Sequence, residues 1–324
     1  MCTSMAFVSG DFYFGRNMDL EGSFGEKVVI TPRNFPLPLR HGKTLSTHYA
    51  MIGMANVVSG YPLYAEGANE KGLCITGLSF SGNAFYPDEA EPSRLPIATF
   101  ELIPWLLGTC ATTAEAKERL MEVQIVSTAF REDIQPAELH WHIADRERSL
   151  VLEVMKDGMH LYDNPTGVVT NNPPFPFHLS NLNCYLNLTP AFPENRFDPG
   201  LPLQAFGVGF GSVGLPGDST SVSRFVRTVF YKNHSLPAGS EEEAVTQFFH
   251  IMDGVSMVRG AQLGYRGDPC QTTYTCCVNA TKGIFYYKTY ENNQITAVDL
   301  FSRPLDGEGL VAFELIRSQR IHRI

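Results

Sequence analysis

A chain of 324 residues with a formal net charge of −9 and no basic run is a poor candidate for binding nucleic acid. It is long enough to bury a large core, and 44% of its residues are hydrophobic. The most apolar stretch, residues 100–111, is short and contains Pro104, so we expect no membrane span. Residues 1–30 lack the basic and apolar regions of a signal peptide, which favours a cytoplasmic protein.

The first nineteen residues predict a β-hairpin. One strand covers Thr3–Val8, a Ser-Gly-Asp turn follows, and a returning strand begins at Phe12–Gly15. A hairpin of this length brings Arg16 and Asp19 back beside Cys2.

The rest of the chain predicts alternating groups of strands and helices. In chain order these are strands over 27–31, 49–58, 62–66 and 73–80, helices over 95–107 and 114–123, strands over 138–145, 149–156, 158–162 and 167–170, helices over 223–231 and 241–252, and strands over 272–279, 283–290 and 295–300. Residues 34–47 and 83–94 are expected to be loops, and residues 173–216 a long covering segment. This order favours an α+β domain over residues 1–324, with antiparallel sheets and outer helices.

Cys2 is the candidate nucleophile. Methionine aminopeptidases remove Met1 when the second residue is small, which would leave Cys2 with both a thiol and an α-amine. With reference pKa values of about 8.5 and about 7.7–8.0, this residue would combine a nucleophile with its own base. Arg16 would favour the thiolate, and Asp19 could hold the ammonium or relay its proton. Position alone also allows a small buried Cys2 beside a surface ion pair.

Metal chemistry has little support in the sequence. The seven cysteines are an odd number and lack zinc-like spacing, so we expect reduced thiols. Cys276 and Cys277 lie in a strand-like stretch and are interpreted as packing residues. His140 and His142 would share one face of a strand, but no third ligand follows at metal spacing, which again favours packing. No cofactor and no metal site are expected.

Several motifs, in order along the chain, resemble those of one family. They are Met1-Cys2-Thr3 with residues 13–19 (YFGRNMD), then residues 69–73 (NEKGL), 170–173 (TNNP), 215–218 (LPGD) and 223–225 (SRF). The pattern is similar to the choloylglycine hydrolases, which include bile salt hydrolases and penicillin V acylases and belong to the N-terminal-nucleophile (Ntn) hydrolases. The resemblance implies a four-layer α/β/β/α sandwich, a homotetramer and a cysteine amidohydrolase acting on linear amides.

The resemblance also implies roles for individual residues. Cys2 would form a thioester with the acyl group, while Arg16 and Asp19 would tune its protonation. Asn171 matches the family position that contacts the N-terminal residue and the oxyanion, and Arg224 matches the second active-site arginine. Without the resemblance, Asn171 would be interpreted as a turn residue and Arg224 as a cation on a helix surface.

Ser79 departs from the family pattern. In bile salt hydrolases the segment Gly77-Leu78-Ser79-Phe80 normally carries asparagine at the third position, where it helps to form the oxyanion hole, and penicillin V acylases typically carry tyrosine near this point. Losing one oxyanion donor can reduce the rate by about 10²–10³. The backbone N–H of residue 79 or 80 is an alternative donor.

The substrate pocket should accept a bulky apolar acyl group. Expected wall residues are Met18, Leu20, Ile52 and Phe80, with the loops around Phe24, Ala65 and Phe130. The loop Gly207-Val208-Gly209 matches a family loop associated with the amino-acid half of the substrate, in a form that resembles taurine-preferring members.

The first functional hypothesis is hydrolysis of the amide bond of glycine- or taurine-conjugated bile salts through a Cys2 thioester. One alternative keeps the chemistry and changes the substrate to penicillin V or another N-acyl amide. A second alternative, which Ser79 favours, is a weakly active homologue that binds bile acids. None of these hypotheses calls for a nucleic acid, a membrane or a cofactor.

Overall fold

The computed structural model describes residues 1–264 and 266–324 and contains two large antiparallel sheets. The strands of the first sheet are β1 (Cys2–Ser9), β2 (Asp11–Leu20), β12 (Val168–Val169), β13 (Gln262–Leu263), β14 (Pro269–Asn279), β15 (Ile284–Thr289) and β16 (Thr296–Asp299). The strands of the second are β3 (Lys27–Thr31), β4 (Met51–Val58), β5 (Tyr61–Asn69), β6 (Cys74–Ser79), β9 (Leu139–Ala144), β10 (Ser149–Met155), β11 (Gly158–Asp163) and β17 (Val311–Glu314).

The strand orders place the first hairpin inside the first sheet. Its order is β12-β1-β2-β14-β15-β16, with β13 paired to β14, and the second sheet runs β11-β10-β9-β6-β5-β4-β3-β17. A separate parallel pair joins β7 (Leu95–Ala98) to β8 (Val123–Val126). The helices are α1 (Leu102–Thr109), α2 (Thr113–Leu120), α3 (Phe175–Asn181), α4 (Ser221–His234) and α5 (Glu241–Asp253).

The two sheets form the middle layers of a sandwich. Helices α4 and α5 pack on the first sheet through β1, β2 and β14, and α1 packs on the second sheet through β4, β5 and β6. One core joins the sheets and the α4–α5 layer, and includes Phe14, Phe225 and Phe248. The other lies beneath α1 and contains Trp105 and Trp141. The expectation of an α+β four-layer sandwich is therefore confirmed.

The predicted N-terminal hairpin is present, with Cys2 opposite Met18 and Ser4 opposite Arg16. Side chains alternate between the two faces of β1. Ser4 faces the second sheet, because its Oγ lies 2.7 Å from Nδ1 of His142 in β9. By the same period of two, the Cys2 side chain also faces the second sheet.

The helix predicted over residues 95–107 is wrong in its first half. Leu95–Ala98 forms strand β7 because it pairs with β8, and α1 begins only at Leu102. Pro104 is tolerated in the first turn of α1, where the missing N–H would have no partner within the helix. The next helix, predicted over 114–123, ends at Leu120, because Val123 begins β8.

Within residues 1–264 and 266–324, no helix combines the length and apolar character needed to cross a bilayer. All seven cysteines in this part of the chain are free thiols. The same residues contain no group of three or more His, Cys, Asp or Glu side chains arranged to hold a metal. His140 and His142 share one face of β9, as expected, where the His140 ring stacks on Phe80 and His142 contacts Ser4 of β1.

Candidate active site

The site is built around Cys2, the first residue of β1, which is only 3% exposed. Its backbone N donates to Oδ1 of Asn171 at 2.8 Å, and its Sγ lies 4.0 Å from Sδ of Met18. Strand β12 pairs with β1 at Ser4 and ends at Val169, which brings Asn171 alongside the start of β1. The sheet therefore fixes the backbone of the candidate nucleophile.

The Asn171 side chain connects three chain segments. Oδ1 accepts from the Cys2 N–H and from Nη2 of Arg224 at 2.8 Å, and Nδ2 donates to the Ser79 carbonyl at 2.7 Å. An amide nitrogen carries two N–H groups. Within the described residues only one of them has a hydrogen-bond partner, so the other remains available to a substrate oxygen.

Arg224 is fully buried in the first turn of α4, so the alternative of a surface cation is wrong. Nη1 donates to the Cys2 carbonyl and to Oγ1 of Thr3 at 2.6 Å, and Nε donates to the Ser219 carbonyl at 3.0 Å. Burial lowers the pKa of Arg224, although its electrostatic interactions with Asp19 and Cys2 oppose this shift. The guanidinium thus joins the start of β1 to the helix layer.

Asp19 is also fully buried at the end of β2. Oδ1 accepts from Oγ1 of Thr272 at 2.6 Å, while Oδ2 has no hydrogen-bond partner among the described residues. Burial raises the pKa of Asp19, against the opposing effects of Arg224 and the Thr272 hydroxyl. The Met1 ammonium donates to the Asp19 backbone carbonyl at 2.7 Å, so with Met1 in place the backbone of Asp19 holds it rather than the carboxylate.

Arg16 lies between the two sheets with no exposed surface. Nη1 donates to Oγ1 of Thr76 at 2.9 Å and to the Gly77 carbonyl at 2.5 Å, and lies 3.4 Å from Oε2 of Glu66. Burial lowers the pKa of Arg16, but its electrostatic interactions with Cys2 and Glu66 outweigh this effect, so the pKa is raised overall.

Glu66, the partner of Arg16, was not singled out in the sequence. Oε1 accepts from the Tyr274 hydroxyl at 2.8 Å and lies 3.5 Å from Sγ of Cys276. Burial raises the pKa of Glu66, and the nearby Arg16 opposes this shift. The available signal was a lone carboxylate in β5, a strand with no other charged residue.

Ser79 is partly exposed at the end of β6, next to the Asn171 amide. Its Oγ lies 3.2 Å from Oγ of Ser81. The suggestion that the N–H of residue 80 replaces an oxyanion donor is wrong for this conformation, because that N–H donates to the Glu138 carbonyl at 2.8 Å.

The expected substrate-binding residues are only partly brought together. Ile52 and Phe80 have no exposed surface, so the expectation that they form pocket walls is wrong. Met18 lies opposite Cys2, and Leu20 packs partly buried against the core that contains Cys2. Residues 207–209 lie on an exposed loop, where the Val208 side chain is 96% exposed.

The loops expected around the pocket lie in two different parts of the molecule. Phe24 and Ala65 pack partly buried against the core that contains Cys2. Phe130 belongs to the other core, on the far side of the second sheet, where its ring centroid lies 5.1 Å from that of Phe100. Phe130 is therefore removed from the candidate pocket.

The chain was compared with known proteins. Residues 2–313 match the family model described as linear amide C-N hydrolases, choloylglycine hydrolase family. A bile salt hydrolase/transferase of Lactiplantibacillus plantarum is 43% identical over 315 residues, covering 97% of each chain. A bile salt hydrolase/transferase of Clostridium perfringens is 37% identical over 329 residues and 100% of both chains.

Solved structures give a consistent result. The C2A mutant of the conjugated bile acid hydrolase from Clostridium perfringens matches with a TM-score of 0.94 and 36% identity, covering 100% of both chains. A penicillin V acylase from Agrobacterium tumefaciens matches with a TM-score of 0.75 over 95% of this chain and 90% of its own, at 20% identity. The second likeness concerns the fold alone.

Proposed function

The chain belongs to the choloylglycine hydrolase family of linear amide C–N hydrolases, and we propose that it hydrolyses the amide bond of glycine- or taurine-conjugated bile salts. The observation that carries this proposal is the position of Cys2. It begins a central strand and its backbone is held by Asn171 and Arg224. Full-length relatives named bile salt hydrolase support the choice of substrate class.

The proposed reaction begins once Met1 has been removed and the Cys2 amine is free. The amine first takes the thiol proton and becomes an ammonium; the thiolate then attacks the amide carbonyl, a C–S bond forms, and the C–N bond breaks as the ammonium passes its proton to the leaving glycine or taurine. The same amine then takes a proton from water, whose oxygen attacks the thioester and breaks the C–S bond. If a free amine attacks instead of water, the product is a new amide and the reaction is acyl transfer.

Three charged residues support the thiolate–ammonium pair in this scheme. Arg16 and Arg224 are both fully buried, so their attraction for a nearby thiolate is weakly screened by solvent. We assign Asp19 to holding the free Cys2 ammonium, because its Oδ2 is buried without a partner within the described residues. Each of the three positions matches the role that the family resemblance implies.

The oxyanion would accept from the unpaired N–H of the Asn171 amide and from the Ser79 hydroxyl. The contact of Ser79 Oγ with Ser81 favours a second candidate function, in which the protein binds bile acids and turns them over slowly. The steroid would contact Met18 and Leu20, and the exposed loop 207–209 would contact the amino-acid half. Because the net charge is −9, capture of an anionic substrate depends on local cations and apolar surface.

We also propose a cytoplasmic homotetramer. The support for assembly is the covering segment, residues 173–216, which exposes large apolar side chains at Leu186, Phe197 and Phe206. Extended apolar surface of this kind marks protein–protein contacts. Sedimentation of the purified chain at micromolar concentration tests this, and a monomer would refute it.

One experiment tests the proposed function. Cys184 is exposed, so a Cys184→Ser background removes the competing surface thiol before treatment with iodoacetamide. We expect intact mass to show loss of Met1 and one fast alkylation, at Cys2. Taurocholate and glycocholate should be cleaved before alkylation and not after it, and penicillin V should be cleaved slowly.

Two other outcomes of this experiment would favour a different function. Cleavage of penicillin V alone would place the chain with the acylases. Binding of taurocholate by processed protein, with no turnover of any substrate, would refute hydrolysis and support the binding function.

A further inference from the structure

Two buried histidines hold consecutive backbone carbonyls at the candidate site. His140 in β9 donates from Nε2 to the Thr170 carbonyl at 2.9 Å. His178 in α3 donates from Nε2 to the Asn171 carbonyl, also at 2.9 Å. A carbonyl oxygen can only accept, so both rings carry a proton on Nε2. The backbone of Asn171 is therefore held from two elements that supply none of the residues singled out at the site.

A carboxylate fixes the ring of His140. Oε1 of Glu153, which is fully buried in β10, lies 3.1 Å from Nδ1 of His140 and accepts from the Phe175 N–H at 2.9 Å. One proton is shared between the ring and the carboxyl group. A carboxylate on the far nitrogen is a general way to orient a histidine, as in metal sites.

His140 also touches the segment that receives the Asn171 side chain. Its ring stacks on Phe80, with centroids 4.4 Å apart and planes 5° from parallel. Phe80 follows Ser79, whose carbonyl accepts from the Asn171 amide. His140 thus fixes both the backbone of the Thr170–Asn171 segment and the neighbourhood of its acceptor.

His178 makes the equivalent contact on the other side. Its ring packs against Phe225, with centroids 4.8 Å apart, and Phe225 follows Arg224, which donates to Oδ1 of Asn171. Burial lowers the pKa of His178, so the ring stays neutral and keeps a single donor, on Nε2.

We propose that His140 and His178 are positioning residues for Asn171 in the amide hydrolysis proposed above, on which this inference rests. They hold the peptide groups of Thr170 and Asn171, so that Oδ1 meets the Cys2 amine and the free N–H meets the oxyanion. Neither ring touches the substrate. Their effect is on kcat, because the asparagine is needed most where charge develops in the transition state.

His140→Phe and His178→Phe remove the donor and retain a ring of similar shape. The matched control is His142→Phe, because His142 lies on the same strand and face, is buried, and bonds Ser4 and Ser149 rather than the Thr170–Asn171 segment. We expect kcat on taurocholate to fall about 10–100-fold in the first two variants, with KM within about threefold. The control should lose thermal stability and keep kcat within about threefold of wild type.

His140→Gln and His178→Gln place an N–H near the position of Nε2 and should restore kcat to within about fivefold. If the phenylalanine variants do not fold, asparagine variants, whose shorter amides do not reach the carbonyls, take their place. Equal loss of kcat in the control, or equal loss in the glutamine variants, would overturn the proposal.

A substrate-free measurement separates this inference from the proposed function. In the Cys184→Ser background, the rate at which iodoacetamide alkylates Cys2 should change at least threefold in His140→Phe and His178→Phe and stay constant in His142→Phe. If the parent protein cleaves no bile salt, the proposed function fails, and the alkylation rates still decide whether the histidines position the site. Unchanged rates would refute the positioning role.

Discussion

Two buried thiols of this chain lie near the same arginine in opposite surroundings. Cys276 is 1% exposed, sits opposite Arg16 in the β14–β2 ladder, and its Sγ faces the Glu66 carboxylate at 3.5 Å. Burial and the charge of Glu66 raise the pKa of Cys276 well above its usual value. Cys2 is equally buried, but Arg16 and Arg224 are its charged neighbours.

The two thiols have similar burial and differ in their charged neighbours. Burial disfavours any thiolate, and a nearby carboxylate disfavours it further, as Glu66 does for Cys276. Glu66 raises the pKa of Cys276, while at the same time its carboxylate balances the buried charge of Arg16. The pair Arg16–Glu66 therefore lies beside both thiols, with the carboxylate next to Cys276 and the guanidinium as a charged neighbour of the proposed nucleophile Cys2.

The largest expected effect comes from exchanging the thiols for hydroxyls. Cys2→Ser should lower kcat on taurocholate by at least about 10³-fold, because the nucleophile is lost. Cys276→Ser is the matched control and should retain kcat within about twofold. Steady-state kinetics on both variants test the contrast, and equal losses would show that Cys2 is not the nucleophile.

Replacing one cation tests the role of charge beside Cys2. Arg224→Lys keeps the charge but loses the fork that reaches Cys2, Thr3 and Asn171, so we expect kcat to fall about 10–100-fold. Alkylation of Cys2 should slow less than turnover, because a positive charge remains. Full activity in Arg224→Lys would show that geometry at this position is unimportant.

Ser79→Asn tests the oxyanion donor near Cys2 by adding an amide group. If Ser79 is a weak oxyanion donor, the variant should raise kcat by about 10-fold. This is less than the effect of about 10²–10³-fold on kcat that one full oxyanion donor has. Ser79→Ala should change kcat by less than about threefold, since the present hydroxyl contributes little. Lower activity in Ser79→Asn would mean that the serine is already the better fit.

The smallest effect concerns a buried group without a counter-charge. Burial lowers the pKa of His142 to about 3, below its usual value of 6.5. Between pH 6.5 and about 3 the unfolded chain binds a proton that the folded protein excludes, so the free energy of unfolding falls as the pH drops through this range. In His142→Gln the slope of the unfolding free energy against pH should be smaller, by the amount that corresponds to about one bound proton. Urea unfolding from pH 7 to pH 4 measures the slope, and identical slopes would exclude His142 as a source.

Local patterns were sufficient to predict the hairpin and most strands. Period-two alternation and the Ser-Gly-Asp turn specify the β1–β2 pairing, and the position of Cys2 follows from it. Leu95–Ala98 was assigned to a helix because its partner β8 lies 25 or more residues away, and the local sequence carries no sign of that pairing. Tertiary pairing overrides local preference in such cases.

The supporting residues of the site were harder to predict. The hydrogen bonds from His140 and His178 to two backbone carbonyls depend on which strands and helices pack together. An isolated histidine in the sequence does not reveal that packing. The prediction of Ile52 and Phe80 as pocket walls was wrong for a related reason. Hydrophobic residues that face a core and those that line a pocket look alike in sequence, and only the packing distinguishes them.

The contacts around Cys2 also set the order of events during synthesis. The Cys2 N–H bonds a residue 169 positions further along the chain, and Thr3 and Asp19 bond residues 221 and 253 positions further along. At about 5–20 residues per second, a ribosome needs tens of seconds to supply these partners. During that interval Cys2, Thr3 and Asp19 lack these partners. The surroundings of the proposed nucleophile are therefore complete only when synthesis is nearly finished.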